Sequence, residues 1–421
     1  MVKILRGPVT LTKTLGRPSK ADGGNRRGSA TRRVQKYSLR DTTGKVQKFT
    51  LSIIDLLCSL SYTSRPGRTP LLQACSDAEK KQFFRDCRKT LELTWQIESW
   101  LKGWCLAAII PIVNAMSINL KLPPGTRKLN SCLVVAPRGS GKSELLERIL
   151  AAGNPEHFVV LPPKIFESEL VMKGRDFFHN KIIVIDDLIP TFEGMSTKQR
   201  QQLVNFWTKL LEGNYARNRD ALSDVRTLAL FGLASEQLDR FRDELMSATF
   251  LDRVPPFKHN VTRQMKKEIL EFRSTHLRES QSRQPPVIKL PLPEKIDDEK
   301  KIDVDFPYCK EIEVRIAEYA LELDDYQVQS CARAQDYIKT FMRANALLNG
   351  RRKVTMSDLY LYDLVHPLFL NSMGELGTEN RVLSLIKNHP NRSDKEIIKI
   401  SGLSKGTFYK YKKILQAKDL I

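Results

Sequence analysis

The spacing of apolar residues divides the chain into a helical first part, a mixed middle part and a helical last part. Apolar positions three and four residues apart predict helices within 51–57 and 83–101. From 131 to 260, short β-rich runs alternate with helical ones. The predicted strands are Cys132–Ala136, Phe158–Leu161, Ile182–Ile185 and Leu228–Leu233. Strands separated by helices predict an α/β fold, a parallel sheet flanked by helices.

Breaks in this pattern predict the domain boundaries. We expect a basic arm over 1–48, a helical N-terminal region over 49–125, a core over 126–272, a polar linker over 273–305, a helical lid over 306–372 and a small all-α module over 378–421. The module divides into three predicted helices, Glu379–Asn388, Ser393–Ser401 and Ser404–Lys418. Ser393 and Glu396 have the spacing of a capping box.

Composition narrows the class of protein. With 41% apolar and 28% charged residues, the chain has the composition of a soluble globular protein. Its seven cysteines are scattered and contain no C-x-x-C pair, which argues against a disulfide framework and a zinc site and for a reducing compartment. The most apolar stretch, Trp104–Met116, is shorter than the about 20 residues that span a bilayer, so we expect a buried helix and no membrane partner.

The composition, the scattered cysteines and the short apolar stretch also predict where in the cell the protein lies. We expect a cytoplasmic protein, associated with the nucleoid if the cell is prokaryotic. Residues 1–34 mix Gly, Ser, Thr, Pro and Arg without apolar periodicity, which predicts a disordered arm. A start that is rich in Arg, Ser and Thr and poor in acids is also typical of an organelle transit peptide, and this alternative stays open.

The net charge of +21 is concentrated at the two ends. Residues 1–48 contribute +11 and residues 381–421 contribute +7, so the rest of the chain carries only +3. Basic ends on a nearly neutral middle indicate a polyanionic partner.

The segment after the first predicted strand has the pattern of a phosphate-binding loop, with Ala136 in place of the first glycine. It reads Ala136, Pro137, Arg138, Gly139, Ser140, Gly141, Lys142, Ser143, and Glu144 then begins a helical pattern. In such a loop, successive backbone N–H groups and the following helix N-terminus bind phosphate oxygens. Lys142 is expected to reach the β- and γ-phosphates of ATP, and the Ser143 hydroxyl to bind Mg²⁺.

A second sequence element, which supplies carboxylates, is expected beside that metal ion. The apolar run Ile182–Ile185 ends in Asp186 and Asp187. Carboxylates at the end of a buried strand are costly unless a cation pairs with them. Asp186 is therefore predicted to hold Mg²⁺, and Asp187 to orient or deprotonate the attacking water.

Three further residues suit phosphoryl transfer. Arg253 lies beyond the last predicted strand, where it could be offered to the γ-phosphate bound by a neighbouring subunit. Arg333, on a predicted lid helix, could reach the nucleotide, and Ser235 could position the attacking water. The alternatives are that Arg253 is a structural residue paired with Asp252, that Arg333 lies on a solvated helix face, and that Ser235 is an ordinary turn residue.

Taken in order, these features resemble the AAA+ ATPase family over about residues 120–370. The departures are Ala136 for glycine, Asp187 where many members have Glu, and Ser235 where Asn is usual. The lid resembles that of MCM-like replication ATPases, although the segment 158–186 is too short for the extra insertion of MCM helicases. The resemblance implies a homo-oligomeric ring or partial ring in which Arg253 completes a site between subunits.

The C-terminal module has the helix order of a helix-turn-helix, with a winged-helix wing minimal or absent. Its third helix would read DNA with Lys405, Thr407, Tyr409, Lys410, Lys412 and Lys413. The alternative is a three-helix interaction module with solvated lysines.

By resemblance to AAA+ motors, the polar loop containing Tyr215, Arg217 and Arg219 would face a central pore; it could equally be a surface loop.

These inferences predict an ATPase that uses Mg²⁺ and acts on DNA, as a helicase, initiator or remodelling motor in replication or mobile-element biology. The alternatives are a DNA-binding ATP switch that loads a partner and hydrolyses slowly, as in archaeal origin-recognition ATPases, and a protein-remodelling AAA+ ATPase. A viral superfamily-3 helicase, a class that also pairs aspartates at the second motif, is a further possibility. The six histidines have no metal-like spacing and receive no role.

Overall fold

The structure is a computed structural model that describes residues 55–61, 69–123, 129–162, 164–217, 220–238, 241, 245, 249–259, 261, 263–276, 285–373, 379, 382, 383, 385, 386, 392–401, 403–417 and 421. The predicted arm over 1–48, Arg219 and most of the predicted helix Glu379–Asn388 lie outside these residues. The description below concerns the unit Leu57–Ile421.

A five-stranded parallel sheet forms the centre of the fold. The strands of this sheet and of a separate hairpin, formed by β4 and β5, are in chain order β1 (Cys132–Ala136), β2 (Phe158–Val160), β3 (Lys181–Ile185), β4 (Tyr215–Arg217), β5 (Asp220–Leu222), β6 (Thr227–Ala234) and β7 (Pro256–Lys258). The sheet order is β2-β3-β6-β1-β7, and every neighbouring pair in it is parallel. The α/β class predicted from the apolar pattern is therefore confirmed.

Two features of the strands differ from the sequence prediction. β7 was missed because it has three residues and begins with Pro256, a residue that sheets accept at an edge or strand start. β4 and β5 form an antiparallel hairpin where the sequence predicts a polar loop. The four predicted strands are present with their ends shifted by one residue at most.

Helices surround the sheet. They are α1 (Leu71–Ala74), α2 (Asp77–Asp86), α3 (Arg88–Glu98), α4 (Ile109–Met116), the π-helix α5 (Glu144–Ala151), α6 (Glu167–Met172), α7 (Arg175–Phe178), α8 (Ile189–Phe192), α9 (Thr197–Leu211), α10 (Phe250–Arg253), α11 (Arg263–His276), α12 (Lys310–Asp325), α13 (Cys331–Leu348), α14 (Met356–Leu370), α15 (Asp394–Ser401) and α16 (Lys405–Ala417). Every residue of α4 is buried, as its apolar sequence predicts. In the described part of the chain, no helix is long and apolar enough to cross a membrane.

Aromatic side chains fill the space between β3, β6 and α9. The ring centroids of Phe178 and Trp207 are 6.4 Å apart, and those of Trp207 and Phe231 are 5.4 Å apart, both with edge-to-face geometry. All three residues are almost fully buried. Because such residues bury large apolar areas, this cluster fixes α9 on the face of the sheet.

The C-terminal part of the predicted linker, residues 285–305, packs along the core. Ile288 is fully buried, and its N–H donates to the Ile149 carbonyl oxygen at the end of α5. Farther along, the Ile302 N–H donates to Asn119 and the Ile302 carbonyl accepts from Lys121. This segment therefore connects α5 with the segment before β1.

A buried polar cluster joins the N-terminal helices to the lid. The Asp358 carboxylate is fully buried and accepts hydrogen bonds from Arg351 at 2.6 and 2.9 Å and from Asn345 at 2.7 Å. Asn345 also accepts from the Thr90 hydroxyl of α3 at 2.6 Å, and Ser357 donates to Asp86 of α2 at 2.7 Å. Burial raises the pKa of Asp358, against the opposing effect of Arg351. The cluster therefore depends on keeping its charges paired.

Helices α15 and α16 pack on a small apolar cluster of their own, centred on Val382, Ile397, Phe408 and Leu415. The Glu396 carboxylate accepts from the Ser393 N–H and hydroxyl, each at 2.8 Å, as the predicted capping spacing requires.

We predict that Arg351→Ala lowers the free energy of unfolding by about 3–5 kcal/mol, because it leaves the buried Asp358 carboxylate without its cation. Chemical denaturation measures the change. The double variant Arg351→Ala, Asp358→Asn should recover part of the loss. A single variant as stable as the wild type would contradict this role of the cluster.

Candidate functional site

Four strands of the sheet end at the candidate site. β1 runs into the loop 137–143, β3 into Asp186 and Asp187, β6 into Ser235, and β7 into His259. Because all four strands are parallel, their carboxyl ends lie at one edge of the sheet, where ligands of open α/β sheets bind. The register pairs Ala136 with Ala234, so the start of the loop lies beside Ser235.

The loop has the backbone conformation that phosphate binding requires. Gly139 and Gly141 have φ angles of +70° and +101°, in the left-handed region that other residues rarely adopt. The Ser140 N–H donates to the Pro137 carbonyl oxygen at 3.2 Å, which closes the turn. The Ser140 hydroxyl oxygen is buried and has no partner among the described residues. The loop therefore presents both backbone curvature and an unused polar group.

Lys142 is buried at this edge, with 7% of its surface exposed. Its Nζ donates to the Ala136 carbonyl oxygen at 3.4 Å. Burial lowers the pKa of Lys142, and the negative charges of Asp187, Glu236 and Asp186 act to raise it. The ammonium group and the two predicted aspartates are therefore close enough to interact.

Two carboxylates that the sequence analysis did not select belong to the same group. Glu236 follows Ser235 and acts on Lys142. Glu147 lies one turn after Ser143 on α5, and its pKa is raised by burial and by the charge of Asp186. Neither belongs to a sequence pattern; only the packing of β6 and α5 against the loop brings them here.

The position of Asp186 depends on a glycine in the neighbouring strand. A Cβ atom at Gly232 would lie 1.9 Å from the Asp186 carbonyl oxygen. The Leu188 N–H donates to the Gly232 carbonyl oxygen at 2.9 Å, which holds the chain against β6 just after the aspartates. Gly232 therefore permits the close approach that carries Asp186 and Asp187 toward the loop.

These residues fit a Mg²⁺–nucleotide. Among the described residues, no group of three or more His, Cys, Asp or Glu side chains is arranged to hold a metal ion without other ligands. Mg²⁺ usually needs only one or two protein ligands, because substrate phosphates and water complete its coordination. Asp186 and the Ser143 hydroxyl are the groups that would hold it, beside the buried cation of Lys142.

An aromatic pair lies beneath the loop. Trp104 is fully buried, its indole N–H donates to the Ser140 carbonyl oxygen at 2.7 Å, and its ring lies 4.1 Å from that of His259. The His259 Nε2 atom is buried without a partner among the described residues, and burial lowers the pKa of His259 to about 4. His259, to which the sequence analysis gave no role, is thus a neutral packing partner of the residue that supports the loop.

The two predicted arginines lie in one ion-pair cluster. Arg253 pairs with Glu212, with Nε to Oε1 at 2.7 Å, and does not pair with Asp252 as the structural alternative supposed. Arg333 pairs with Asp252 at 3.0 Å and with Glu212 at 3.5 Å. One Arg333 nitrogen, Nη1, is buried without a partner among the described residues. Burial acts to raise the pKa of Glu212, but Arg253 and Lys209 together outweigh it, so the pKa is lowered.

This arginine cluster lies toward the opposite end of the strands, where their amino ends meet. Arg253 precedes Pro256, which pairs with Leu133 at the start of β1, whereas the loop follows the end of β1. The five residues of β1 span roughly 16 Å at about 3.3 Å per residue. In this arrangement Arg333 is directed to Asp252 and not to the loop of its own chain.

The predicted pore loop has a different character in the structure. Tyr215 is 5% exposed, its ring lies 4.8 Å from that of Phe206, and its hydroxyl donates to Glu167. A ring packed in this way exposes no face on which a nucleobase could stack, so Tyr215 supports the hairpin β4–β5. The side chain of Arg217 and all of Arg219 lie outside the described residues.

The residues predicted for DNA on α16 divide into two sets. Lys405, Lys410 and Lys413 are exposed, although the Lys410 ammonium also lies 5.1 Å from the centroid of the Tyr411 ring. Lys412 pairs with Asp394 at 2.7 Å, which fixes α16 against α15. The Thr407 N–H and hydroxyl interact with the Ser404 hydroxyl at the start of the helix, and Tyr409 packs against the apolar cluster of the module.

Comparison with protein-family models finds no match, and comparison with curated proteins finds no significantly similar sequence.

We predict that the stability of the protein falls between pH 6.5 and pH 4 partly through His259. The unfolded state takes up the proton near pH 6.5 and the folded state only near pH 4, so the stabilisation present above pH 6.5 is lost as pH falls through this window. Between pH 7 and pH 5 the loss is about 2 kcal/mol.

His259→Phe keeps a ring beside Trp104 and removes the titrating group. Denaturant unfolding at pH 7 and pH 5 should therefore show a smaller pH-dependent loss in this variant. An unchanged loss would contradict the buried neutral state of His259.

Proposed function

We propose that this protein is an AAA+ ATPase that hydrolyses ATP with Mg²⁺ and acts on DNA. One observation carries the proposal: a phosphate-binding loop with two left-handed glycines ends in a buried lysine that interacts with Asp186 and Asp187 across the same edge of a parallel sheet. Buried charges of this kind are costly unless they serve one another or a ligand.

The residues divide the work of hydrolysis between them. The loop N–H groups and the start of α5 bind the phosphates, and Lys142 neutralises charge on the transferred group. Asp186 and the Ser143 hydroxyl would hold Mg²⁺, which would supply positive charge to stabilise the charge that develops on the phosphates. Asp187 orients the attacking water or accepts its proton; Ser235, beside the loop start, is placed to help hold that water.

The AAA+ assignment is supported by the sheet and by the arginines. β6 separates the loop strand β1 from the acidic strand β3, so the loop and the acids come from strands that are not neighbours in the sheet. Arg253 and Arg333 lie away from the loop of their own chain. In a head-to-tail ring or partial ring, this cluster would meet the loop of the neighbouring subunit and supply cations to its γ-phosphate.

The DNA-binding assignment is supported by α15, α16 and the charge distribution. The exposed lysines Lys405, Lys410 and Lys413 lie on α16, which packs with α15 on a shared apolar cluster, as two helices of a helix-turn-helix would. Lysines of this type bind phosphate and position the protein without reading sequence. We propose that Lys412, Thr407 and Tyr409 hold the helix in place, since each has an internal contact.

A second candidate is a DNA-binding ATP switch that hydrolyses slowly. The pairing of both arginines with Glu212 and Asp252 favours it, because arginines held by carboxylates of their own chain must be released before they can serve another subunit. In such a switch, hydrolysis waits for assembly, and ATP binding itself is the signal.

We predict that Lys142→Ala lowers the ATP hydrolysis rate by roughly a hundredfold or more, because it removes the cation at the transferred phosphate. The matched control is Lys198→Ala, an exposed lysine at the start of α9, which should leave the rate unchanged. A steady-state phosphate-release assay measures both. Full turnover in the Lys142 variant would refute hydrolysis at this site.

For the DNA interface, we predict that changing Lys405, Lys410 and Lys413 together to Ala weakens DNA binding and lowers its salt slope by roughly 3, about one for each phosphate that the variant no longer neutralises. Changing Lys81, Lys198 and Lys267 to Ala removes the same net charge elsewhere and is the control. Fluorescence anisotropy over a salt series gives both slopes. Equal slopes in the two variants would place the DNA interface outside α16.

A further inference from the structure

A turn that lies far from the phosphate-binding loop in sequence is built against it. This turn, residues 98–105, follows α3 and touches the loop at three positions. The Trp104 indole N–H donates to the Ser140 carbonyl oxygen at 2.7 Å, and the Trp100 indole N–H donates to the Glu144 carboxylate at 3.2 Å. A Cβ atom at Gly141 would lie 3.0 Å from Leu101.

A partly buried carboxylate shapes the turn. Glu98 accepts hydrogen bonds from the Gly103 N–H at 2.9 and 3.0 Å and from the Cys105 N–H at 3.0 Å. Burial raises the pKa of Glu98, against the effect of these bonds. Gly103 has a φ of +85°, in the left-handed region that other residues rarely adopt, and a Cβ atom there would lie 2.3 Å from the flexible end of the Met265 side chain of α11. The bonds to Glu98 and the conformation of Gly103 therefore define the turn.

The place of Trp100 along the loop indicates what it meets. In a phosphate-binding loop, the lysine reaches the β- and γ-phosphates, while the α-phosphate lies against the helix start. Glu144 is the first residue of α5. The part of a nucleotide that continues beyond the α-phosphate is the sugar and the base. Trp100 is half-buried and bonds to Glu144, so we expect it on the side of the loop toward which the sugar and base continue, whereas Trp104 is fully buried beneath the loop.

We propose that the turn 98–105 is the base subsite of the nucleotide pocket, with the Trp100 indole as the ring on which the nucleobase stacks. Trp104 and Glu98 hold that ring in place and touch no ligand. The inference rests on the proposed nucleotide binding and adds the residue that makes the pocket prefer a nucleoside triphosphate over inorganic triphosphate.

The test compares ATP with inorganic triphosphate, which carries the charge but no base. In the full chain with Mg²⁺, Trp100→Ala should weaken ATP binding by roughly tenfold to a hundredfold, the loss expected when a base loses an aromatic stacking partner, and leave triphosphate binding unchanged. Trp100→Phe removes the hydrogen bond to Glu144 but keeps a ring, so it should bind ATP nearly as well as the wild type. Calorimetry measures all three proteins.

Equal losses for both ligands in Trp100→Ala would mean that Trp100 only braces the loop, and an unchanged ATP affinity would mean that the base lies elsewhere; either result overturns the subsite. A loss of ATP affinity in Trp100→Phe as large as that in Trp100→Ala would also overturn the subsite. A wild type that binds neither ligand refutes the proposed function instead.

A second measurement does not depend on the alanine variant folding. ATP should quench the tryptophan fluorescence of the wild type more strongly than triphosphate does, and this difference should disappear in Trp100→Phe. Equal quenching by the two ligands in the wild type would contradict stacking on Trp100.

Discussion

The burial of one ammonium group is the constraint on which the rest of the site depends. Lys142 lies almost out of contact with water, and burial works against its charge. The carboxylates of Asp187, Glu236 and Asp186 offset part of this cost, and they lie at the ends of two strands that neither precede nor follow the loop directly. Only a parallel sheet, which gathers the carboxyl ends of its strands at one edge, brings these groups together. Gly232 then allows the Asp186 backbone to approach closely enough.

The sequence predicted the parts of this site that a local pattern encodes. β1 and β3 are buried on both faces, so they appear as continuous apolar runs, and the residues at their ends follow directly. The loop glycines could be assigned because their conformation excludes other residues. These features account for the α/β class, for four of the strands and for the association of Lys142 with Asp186 and Asp187.

The remaining parts arise from contacts between distant segments. Glu236 has no motif and acquires its place through the pairing of β6 with β1. Trp104 is 36 residues from Ser140, and Arg333 joins Asp252 only because α13 begins beside α10. β7 is too short, and its proline too unusual in a strand, for periodicity to reveal it. Tyr215 was selected as an aromatic in a polar loop, but the hairpin turns its ring into the core.

The two edges of the sheet have complementary chemistry. One carries the phosphate-binding loop and its acids, and toward the other lie Arg253 and Arg333, restrained by Glu212 and Asp252. We propose that the surface that offers cations meets the surface that would bind an anion in a head-to-tail contact between copies of the chain, which closes into a ring when the rotation allows it. In this proposal, ATP bound at one edge draws the arginines of the next subunit away from their carboxylates.

Mg²⁺-dependent ATP binding at the carboxyl edge of the sheet is the central claim. The most direct test is calorimetric titration of ATP, with and without Mg²⁺, into the wild type and into Asp186→Asn, a variant that keeps the shape of the side chain and removes its charge. We expect one ATP per chain, tighter binding with Mg²⁺ in the wild type, and loss of most of that Mg²⁺ effect in the variant. ATP binding with the same Mg²⁺ dependence in both proteins, or no ATP binding by the wild type, would contradict the claim.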